Sequence, residues 1–280
     1  MPSKAVLITG CSSGIGRATA ERLAAAGWKV YATARRFETI ADLRERGCET
    51  LALDVTDEAS MNAAVATVSE AEGAVGVLVN NAGYSQSGAV ESVPIDEVRR
   101  QFETNVFGLI RMCQLVLPGM REQRWGKIVN ISSMGGRITF PGGGVYHASK
   151  YAVEAISDAL RFEVGGFGVD VILVEPGLIV TNFGDTAAAS VAQTGTGGPY
   201  AHFNQEVASR TEEAYTGPMA RLGGPPEAVA KTIADALAAD RPKPRYPVTA
   251  SAHLLINSRR LTPDRLWDRM MRAQFPTPGS

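Results

Sequence analysis

The sequence predicts an α/β fold, in which helices cover both faces of a doubly wound parallel sheet within a single domain. Short apolar runs alternate with longer segments of helical periodicity, a repetition that favours parallel strands joined by right-handed crossovers. These runs lack polar alternation, as expected for strands buried on both faces. A glycine-rich turn connects the first run to the first helical segment. Because ligands in such sheets bind beyond the carboxyl ends of the strands, this turn marks the expected site.

The predicted strands are six apolar runs and a shorter seventh run near the end of the chain. They span residues 6–8, 30–33, 50–53, 76–79, 127–131, 170–174 and 245–248. Apolar residues at helical spacing follow the first run at Ile15, Leu23 and Ala26, and a later helix is expected at about residues 225–239. Strands and helices therefore alternate along most of the chain.

Length and composition fit one domain over residues 1–280, with 45% hydrophobic content available for a core. A net charge of −1 provides no electrostatic footprint for nucleic acid or an anionic membrane. Cys11, Cys48 and Cys113 are odd in number and widely separated, so they suggest neither a disulfide framework nor a metal site. With no signal pattern after Met1 and no apolar stretch of membrane-spanning length, we expect a cytoplasmic protein without a membrane span.

The glycine turn has the chemistry of a phosphate-binding loop. Its glycines follow the pattern Gly-x-x-x-Gly-x-Gly, and they let the main chain approach phosphate oxygens while the next helix directs unpaired N–H groups at the anion. The predicted cofactor contacts in this turn are Gly10, Ser12, Ser13, Gly14, Ile15 and Gly16. An ordinary glycine turn at a strand–helix junction is the alternative interpretation.

Two later segments interrupt the alternation. Residues 182–224 contain small-residue and glycine-rich stretches and an amphipathic piece, a pattern typical of a substrate lid, a binding loop or disorder. Residues 250–275 are expected to form a C-terminal helical appendage, with a helix start at Thr262-Pro263-Asp264 and a disordered tail at 276–280. One face of that last helix is expected to pack on the chain, line a pocket or contact another subunit; it carries Leu266, Trp267, Met270 and Met271.

Tyr146 and Lys150 form a candidate acid–base pair. Four residues apart on a predicted helix, their Cβ atoms lie on one face about 5–6 Å from each other. A phenol normally has a pKa near 10, and a neighbouring ammonium favours the phenolate and lowers that pKa. Tyr146 can then donate a proton to a carbonyl or accept one from an alcohol. Exposed surface residues with this spacing are the alternative.

Five motifs in order resemble those of the short-chain dehydrogenase/reductase family, from about Lys4 to about Thr181. They are the glycine turn, Asn80-Asn81-Ala82-Gly83, Ser133, Tyr146-x-x-x-Lys150 and Pro176-Gly177. Within the family the chain looks most similar to the branch that contains 17β-hydroxysteroid and retinol dehydrogenases. The resemblance implies a Rossmann-type fold and the interconversion of an alcohol with its ketone or aldehyde.

The resemblance also implies roles for the catalytic residues. Ser133 orients the substrate oxygen, with Ser132 as the adjacent alternative; Tyr146 transfers the proton. Lys150 supports the tyrosine and holds the nicotinamide ribose. Asn105 supports a water chain to the lysine, unless it is only a satisfied helix amide. His147 lies beside Tyr146 but is expected to point elsewhere on the helix, so it is assigned no role.

The cofactor implied is NADP, with NAD the weaker candidate. By resemblance, three groups of residues contact its adenine, its ribose and its nicotinamide; they are Asp54 and Val55, then Asn81, Ala82 and Gly83, then Pro176, Gly177, Ile179 and Thr181. No acid follows the second strand, where NAD users carry one. Arg35 is placed there to contact a 2′-phosphate, although Ser13 stands where NADP users often have a basic residue. A solvated arginine pair is the alternative.

The sequence therefore predicts an NADP(H)-dependent oxidoreductase acting on a bulky, mostly apolar small molecule such as a steroid or retinoid. Apolar side chains near Ser133 and in the insertion suggest this substrate; they are Met134, Ile138, Phe140, Phe183, Tyr200, Phe203, Val207 and Tyr215. The alternative is a binding protein that senses NADP(H) without turnover. The resemblance also implies a homodimer or homotetramer formed through helices at about residues 104–121 and 146–164.

Overall fold

The computed structural model describes residues 1–181, 183–193 and 197–279. Its centre is a seven-stranded, all-parallel sheet with the strand order β3-β2-β1-β4-β5-β6-β7. The strands are β1 (Val6–Ile8), β2 (Val30–Ala34), β3 (Glu49–Ala52), β4 (Val77–Asn80), β5 (Gly126–Ile131), β6 (Val169–Pro176) and β7 (Arg245–Val248). The order reverses between β1 and β4, which opens the crevice where doubly wound sheets bind ligands. The predicted fold class is confirmed.

Helices cover both faces of the sheet. They are α1 (Gly14–Ala25), α2 (Glu58–Glu72), α3 (Ile95–Phe102), α4 (Gly108–Glu122), α5 (Gly144–Gly165), α6 (Phe183–Gln193), α7 (Ala201–Thr216), α8 (Pro226–Ala238), α9 (Ala250–Leu261) and α10 (Asp264–Gln274). Alternate strand residues enter two separate cores: Ile8 and Val79 pack on one face, Leu7 and Leu78 on the other. This two-sided burial explains why the central strands are mainly apolar and lack polar alternation.

β3 departs from the expected burial on both faces. Glu49 and Ala52 are exposed, and only Thr50 is fully buried within the strand. The reason is position, because β3 is an edge strand that pairs with β2 alone. Which run becomes the edge depends on the order of strands in the sheet, which the local pattern does not contain.

The C-terminal appendage consists of α9 and α10, and the last helix begins at Asp264, one residue later than expected. The Thr262 hydroxyl does not cap it, because this hydroxyl donates to the Ser258 carbonyl at 2.7 Å in the preceding helix. The predicted apolar face of α10 is only partly buried. Trp267 and Met271 are buried, whereas the two others are exposed; these are Leu266 and Met270. The tail 276–280 ends at Ser280, which lies outside the described residues.

The insertion at 182–224 forms α6, α7 and a short 3₁₀ turn, Pro218–Leu222; Asn182 and residues 194–196 within it lie outside the described residues. Two hydrogen bonds attach it to the segment after β4: the Ser87 amide donates to Ser190 Oγ at 3.0 Å, and the Ala89 amide donates to Asn204 Oδ1 at 2.9 Å. Of the helices the structure describes, none has the length and apolar character needed to span a bilayer.

Candidate active site

A cavity of about 1110 Å³ lies beyond the carboxyl ends of the strands. All the predicted site residues line it except Asn105 and Gly16, which lie directly behind its wall; the lining members are Gly10, Ser12, Ser13, Gly14, Ile15, Arg35, Asp54, Val55, Asn81, Ala82, Gly83, Ser133, Tyr146, Lys150, Pro176, Gly177, Ile179 and Thr181. One end follows β1 and β2, and the other lies beneath the insertion and the C-terminal helices. The sheet topology thus brings motifs from most of the chain into one space.

The glycine turn has the geometry that close phosphate approach requires. Gly10 and Gly14 have φ values of +75° and +58°, which favour glycine. Gly16 is packed so closely that a Cβ there would overlap the Gly10 carbonyl oxygen and the Asn81 side-chain nitrogen. Ser13 precedes α1 without capping it, and no acid occupies the first turn of that helix. The free N–H groups and positive dipole end of α1 therefore form an anion site at the cavity wall.

Hydrogen bonds join this turn to the loop after β4. Asn81 Nδ2 donates to the carbonyl oxygens of Thr9 at 2.9 Å and Gly10 at 3.0 Å. The Thr9 hydroxyl accepts from the amides of Asn81 and Ala82, both at 3.0 Å. Asn80 instead points into the sheet, where its Nδ2 donates to Asn130 Oδ1 at 3.0 Å. The two loops are therefore held as one rigid surface.

Arg35 lies at the end of β2, with its side chain exposed at the cavity rim. Within the part of the chain that the structure describes, it forms no ion pair, and no carboxylate lines the cavity beside it except Asp54 after β3. The Asp54 carboxylate is engaged locally, since its Oδ1 accepts from the Thr56 amide at 2.9 Å and hydroxyl at 2.8 Å. A guanidinium without a carboxylate partner leaves this rim suited to an additional phosphate.

Tyr146, Lys150 and Ser133 converge at the other end of the cavity. The Lys150 Nζ atom lies 6.0 Å from the centre of the Tyr146 ring and donates to the Ile131 carbonyl at 2.8 Å. Gly135 lies between the tyrosine and the serine: a Cβ on it would lie 3.3 Å from both Tyr146 Cε1 and Ser133 Oγ. Ser132 also borders the cavity, but its hydroxyl lies against Gly136 and has no hydrogen-bond partner among the described residues. Ser133 is thus the serine whose hydroxyl lies beside Tyr146.

Burial controls the protonation states of this pair. It raises the pKa of Tyr146 above its ordinary value, and hydrogen bonding from Ser133 opposes the shift. Burial also lowers the pKa of Lys150 to about 8, which the charge of Glu154 opposes. The expectation of a lowered tyrosine pKa is therefore wrong for this structure, because desolvation of the phenolate outweighs the hydrogen bond from Ser133. Near neutral pH, Tyr146 is a protonated phenol and can act as an acid.

Asn105 lies behind the lysine in a single π-helical turn, Glu103–Phe107, between α3 and α4. Its Nδ2 donates to the Tyr84 carbonyl at 2.9 Å and to Ser149 Oγ at 3.1 Å, while its Oδ1 accepts from the Tyr84 amide at 3.1 Å. A Cβ on Gly83 would lie 3.1 Å from that Oδ1 and 3.7 Å from Lys150 Nζ. The side-chain amide of Asn105 is therefore fully hydrogen-bonded and also lies close to the lysine.

The loop after β6 forms the cavity floor. The Gly177 amide donates to the Val248 carbonyl at 3.0 Å, and a Cβ on this glycine would overlap the Ser251 and Thr249 hydroxyls. Ile179 forms a parallel bridge to Gly224. The backbone must therefore pass close to α9, which fixes where Pro176, Gly177, Ile179 and Thr181 face the cavity.

Three parts of the apolar wall differ from the sequence prediction. His147 lines the cavity although it was expected to point elsewhere; burial lowers its pKa to about 4, so it is a neutral ring. Ile138, by contrast, is fully buried in the core. Leu255, Gln274 and Phe275 of the C-terminal segment also contribute. Only the positions of α9 and α10 place these residues there, and no local motif marks them.

Only part of the aromatic and apolar set predicted for the insertion lines the cavity. Phe183, Val207 and Tyr215 line the cavity, with the Phe183 ring centre 5.5 Å from that of Tyr146. Tyr200 lies outside, where its hydroxyl donates to Glu91 at 2.6 Å, and Phe203 does not reach the lining. The cavity wall as a whole is nevertheless mainly apolar, although Arg210, Thr211 and Glu213 of α7 also line it. Among the described residues, no group of three or more His, Cys, Asp or Glu side chains could hold a metal ion.

Fold and cavity together define an oxidoreductase that binds a nicotinamide dinucleotide. The chain belongs to the short-chain dehydrogenase family, whose family model matches residues 4–191. It is 37% identical over 274 residues to an NADPH-dependent 3-dehydrocapnine reductase from Ornithobacterium rhinotracheale, a match that covers 94% of each protein. It is 45% identical over 186 residues to a 3-ketodihydrosphingosine reductase from Bacteroides thetaiotaomicron, covering 66% of this chain and 67% of that protein.

Solved structures show the same architecture. A short-chain dehydrogenase from Streptomyces avermitilis superposes with a TM-score of 0.76 at 33% identity, covering 96% of this chain and 95% of the other. A closed serine dehydrogenase in complex with NADP+ has a TM-score of 0.76 at 27% identity, covering 88% and 94%. A family member from Burkholderia phymatum in complex with NAD has a TM-score of 0.78 at 25% identity, covering 100% and 98%. Neighbours of this chain thus bind either cofactor.

Proposed function

We propose that this oxidoreductase uses NADP(H) to reduce a bulky, mostly apolar ketone or aldehyde to its alcohol, and to oxidise that alcohol in reverse. The observation that carries the proposal is the position of Ser133 and Tyr146, which open into the apolar end of the cavity. The names of the two relatives, a 3-dehydrocapnine reductase and a 3-ketodihydrosphingosine reductase, support carbonyl reduction. Steroids, retinoids and related hydrophobic carbonyl compounds are the substrate classes that such a wall suits.

The residues present fit NADP(H). The uncapped start of α1 and the glycine turn would hold the pyrophosphate, and Arg35 would hold the 2′-phosphate. Residues at the remaining strand ends would contact the adenine, its ribose and the nicotinamide; they are Asp54, Val55, Asn81, Ala82, Gly83, Pro176, Gly177, Ile179 and Thr181. When bound, the nicotinamide supplies or accepts the hydride.

In the proposed reduction, the Ser133 hydroxyl donates a hydrogen bond to the carbonyl oxygen and orients it. Tyr146 Oη donates its proton to that oxygen as negative charge develops there. The Lys150 ammonium stabilises the phenolate that remains and binds the nicotinamide ribose, and Asn105 supports proton delivery to the lysine. At neutral pH Tyr146 is in the protonated form that can donate this proton.

An NADP(H)-sensing protein without turnover is the competing function. A sensor needs the cofactor end of the cavity but has no use for a phenol, a serine and an ammonium at the other end. Here Ser133, Tyr146 and Lys150 lie together around Gly135 and the apolar wall, which supports catalysis. NADPH oxidation with any ketone separates the two functions.

The first expected result concerns the substrate. Large apolar ketones should be reduced with higher kcat/KM than small hydrophilic ones, and Phe183→Ala should lower kcat/KM for the large ketones about tenfold, because the lost ring removes apolar burial. The measurement is NADPH absorbance with a panel of steroids, retinoids, long-chain ketones that include 3-ketodihydrosphingosine, and small ketoacids. Phe203→Ala, on the same insertion but off the lining, is the matched control. Equal efficiency on small hydrophilic carbonyls would contradict the proposed lining.

The second expected result concerns the cofactor. NADPH should bind about ten- to hundredfold more tightly than NADH, because a hydrogen bond to a charged group contributes about 1.5–3 kcal/mol. Arg35→Ala should remove most of this preference, whereas Arg36→Ala, the exposed neighbour that does not line the cavity, should keep it. Fluorescence titration with both cofactors measures the ratio. Equal affinities in the unmodified protein would favour NAD.

We also propose a homodimer or homotetramer in the cytoplasm. Apolar side chains are exposed on the two helical regions that the resemblance implicates, namely Phe107 beside α4, and Tyr151 and Phe162 on α5, the last at 92%. Cys11, Cys48 and Cys113 are free and buried, which supports a reducing compartment. Light scattering measures the mass in solution, and a monomer would contradict the assembly.

A further inference from the structure

A cluster of buried charges lies where the catalytic helix α5 meets β6 and β7. Its central members are Glu154 on α5 and Glu175 at the end of β6, which are 6% and 1% exposed. Arg245 of β7 joins them, with its Nε 3.0 Å from Glu154 Oε2 and 3.3 Å from Glu175 Oε1. Two carboxylates thus share one guanidinium nitrogen, and repulsion from Glu154, added to burial, raises the pKa of Glu175 to about 7.

Charged side chains from neighbouring elements complete this group, which we call the Glu154 cluster. Arg137, in the turn after β5, reaches Glu175 Oε1 at 3.2 Å. Asp158, one turn further along α5, accepts from Arg245 Nη2 and from Arg161 Nη2, both at 2.5 Å. The guanidinium groups contact Glu175, Asp158 and one oxygen of Glu154. The second Glu154 oxygen, Oε1, is buried without a hydrogen-bond partner among the described residues.

Glu154 also contacts the catalytic machinery. It lies four residues after Lys150, one helical turn away on the same face of α5. A Cβ on Gly136 would overlap the Ser132 hydroxyl and lie 3.0 Å from Glu154 Cγ and 3.1 Å from the Lys150 carbonyl. The Glu154 side chain therefore packs against the loop that follows Ser133, beside the backbone of Lys150. Both groups are buried, so their charges interact more strongly than they would in water.

We propose that Glu154 is a positioning residue for the catalytic lysine: its carboxylate, fixed by Arg245 and the rest of the cluster, holds Lys150 in the ammonium form. Burial alone disfavours the ammonium, and a negative charge one turn away favours it. The charge of Glu154 favours the ammonium here, since it raises the pKa of Lys150 against the effect of burial. The inference rests on the proposed function, because the ammonium matters through Tyr146.

The test is Glu154→Gln, which keeps the shape and removes the charge. The alkaline limb of the pH profile of kcat/KM for ketone reduction should move about one unit to lower pH, so that activity above the limb falls about tenfold while activity at pH 6 changes little. Glu154→Asp, which keeps the charge, should restore most of the limb. Asp158→Asn, in the same cluster but two turns from the lysine, is the matched control and should leave the limb in place.

A second readout does not need turnover. The reactivity of the Lys150 amine towards an acylating reagent, measured by mass spectrometry against pH on the cofactor-free protein, should show a lower midpoint in Glu154→Gln than in the unmodified protein. If Glu154→Gln folds and neither the midpoint of Lys150 reactivity nor the alkaline limb of kcat/KM moves, the inference is overturned. If Glu154→Gln does not fold, the double variant Glu154→Gln/Arg245→Gln leaves no unpaired charge and should shift the midpoint in the same direction. If no carbonyl is reduced but the midpoint moves, the proposed function fails and the effect on the lysine stands.

Discussion

Tyr146→Phe is expected to lower the kcat for ketone reduction by about 10²- to 10⁴-fold, the usual effect of losing a positioned acid. The substitution removes one oxygen and keeps the ring, which packs against Phe183 at 5.5 Å and His147 at 5.7 Å between ring centres. The walls of the cavity should therefore be preserved. NADPH affinity should change little, because the phosphate contacts lie at the opposite end of the cavity, after β1 and β2.

Stopped-flow hydride transfer and fluorescence titration separate the two quantities. Tyr151→Phe is the matched control, since Tyr151 lies on the same helix and is 44% exposed, so its hydroxyl should be dispensable. Full activity in Tyr146→Phe would contradict the proposed acid. The phenol of Tyr215 in the insertion, which also lines the cavity, would then be the next candidate, and Tyr215→Phe would test it.

The positions of most strands could be predicted because central parallel strands must be apolar on both faces. β1, β2, β4, β5 and β6 lie where mainly apolar runs without polar alternation occur, with ends that differ by at most two residues. The position of the site could also be predicted, because motifs at the carboxyl ends of parallel strands are brought to one edge of the sheet. β3 was the exception: its burial depended on having a neighbour on only one side.

Effects that depend on tertiary surroundings could not be predicted in the same way. The spacing of Tyr146 and Lys150 indicated their proximity but not the extent of desolvation, and desolvation decides the direction in which the tyrosine pKa moves. The Glu154 cluster is equally hidden, because Arg245 is separated from Glu154 by ninety-one positions. Similarly, the wall residue Phe275 faces the cavity only because α9 and α10 fold back over it.

The glycine turn could be recognised by spacing, yet its role as a joint between two loops appears only in the structure. Asn81 Nδ2 occupies the space beside Gly16 and donates to both Thr9 and Gly10. The hydrogen atom of Gly16 is thus what allows the β1 and β4 loops to meet. A residue with a side chain there must displace both the Gly10 carbonyl and the Asn81 amide.

Gly16→Ala is accordingly expected to weaken the binding of both NADPH and NADH by about two to three orders of magnitude. Overpacking costs about 1–3 kcal/mol and each displaced Asn81 hydrogen bond about 0.5–1.5 kcal/mol, while about 1.4 kcal/mol corresponds to a tenfold loss. Because the change distorts the pyrophosphate site that both cofactors share, the ratio of NADPH affinity to NADH affinity should persist. Arg35→Ala, by contrast, should remove most of that ratio. Fluorescence titration measures both affinities, and thermal unfolding shows whether the fold survives.

Gly165→Ala is the control for this substitution, because a Cβ at that end of α5 would have no heavy atom within 4 Å. It should retain the affinity and the unfolding temperature of the unmodified protein. Removing the Asn81 side chain as well, in Gly16→Ala/Asn81→Ala, relieves one of the two overlaps but not the one with the Gly10 carbonyl. Binding should therefore recover only in part. Undiminished affinity in a folded Gly16→Ala would show that the turn adapts without cost, and that close packing between the two loops does not shape the phosphate site.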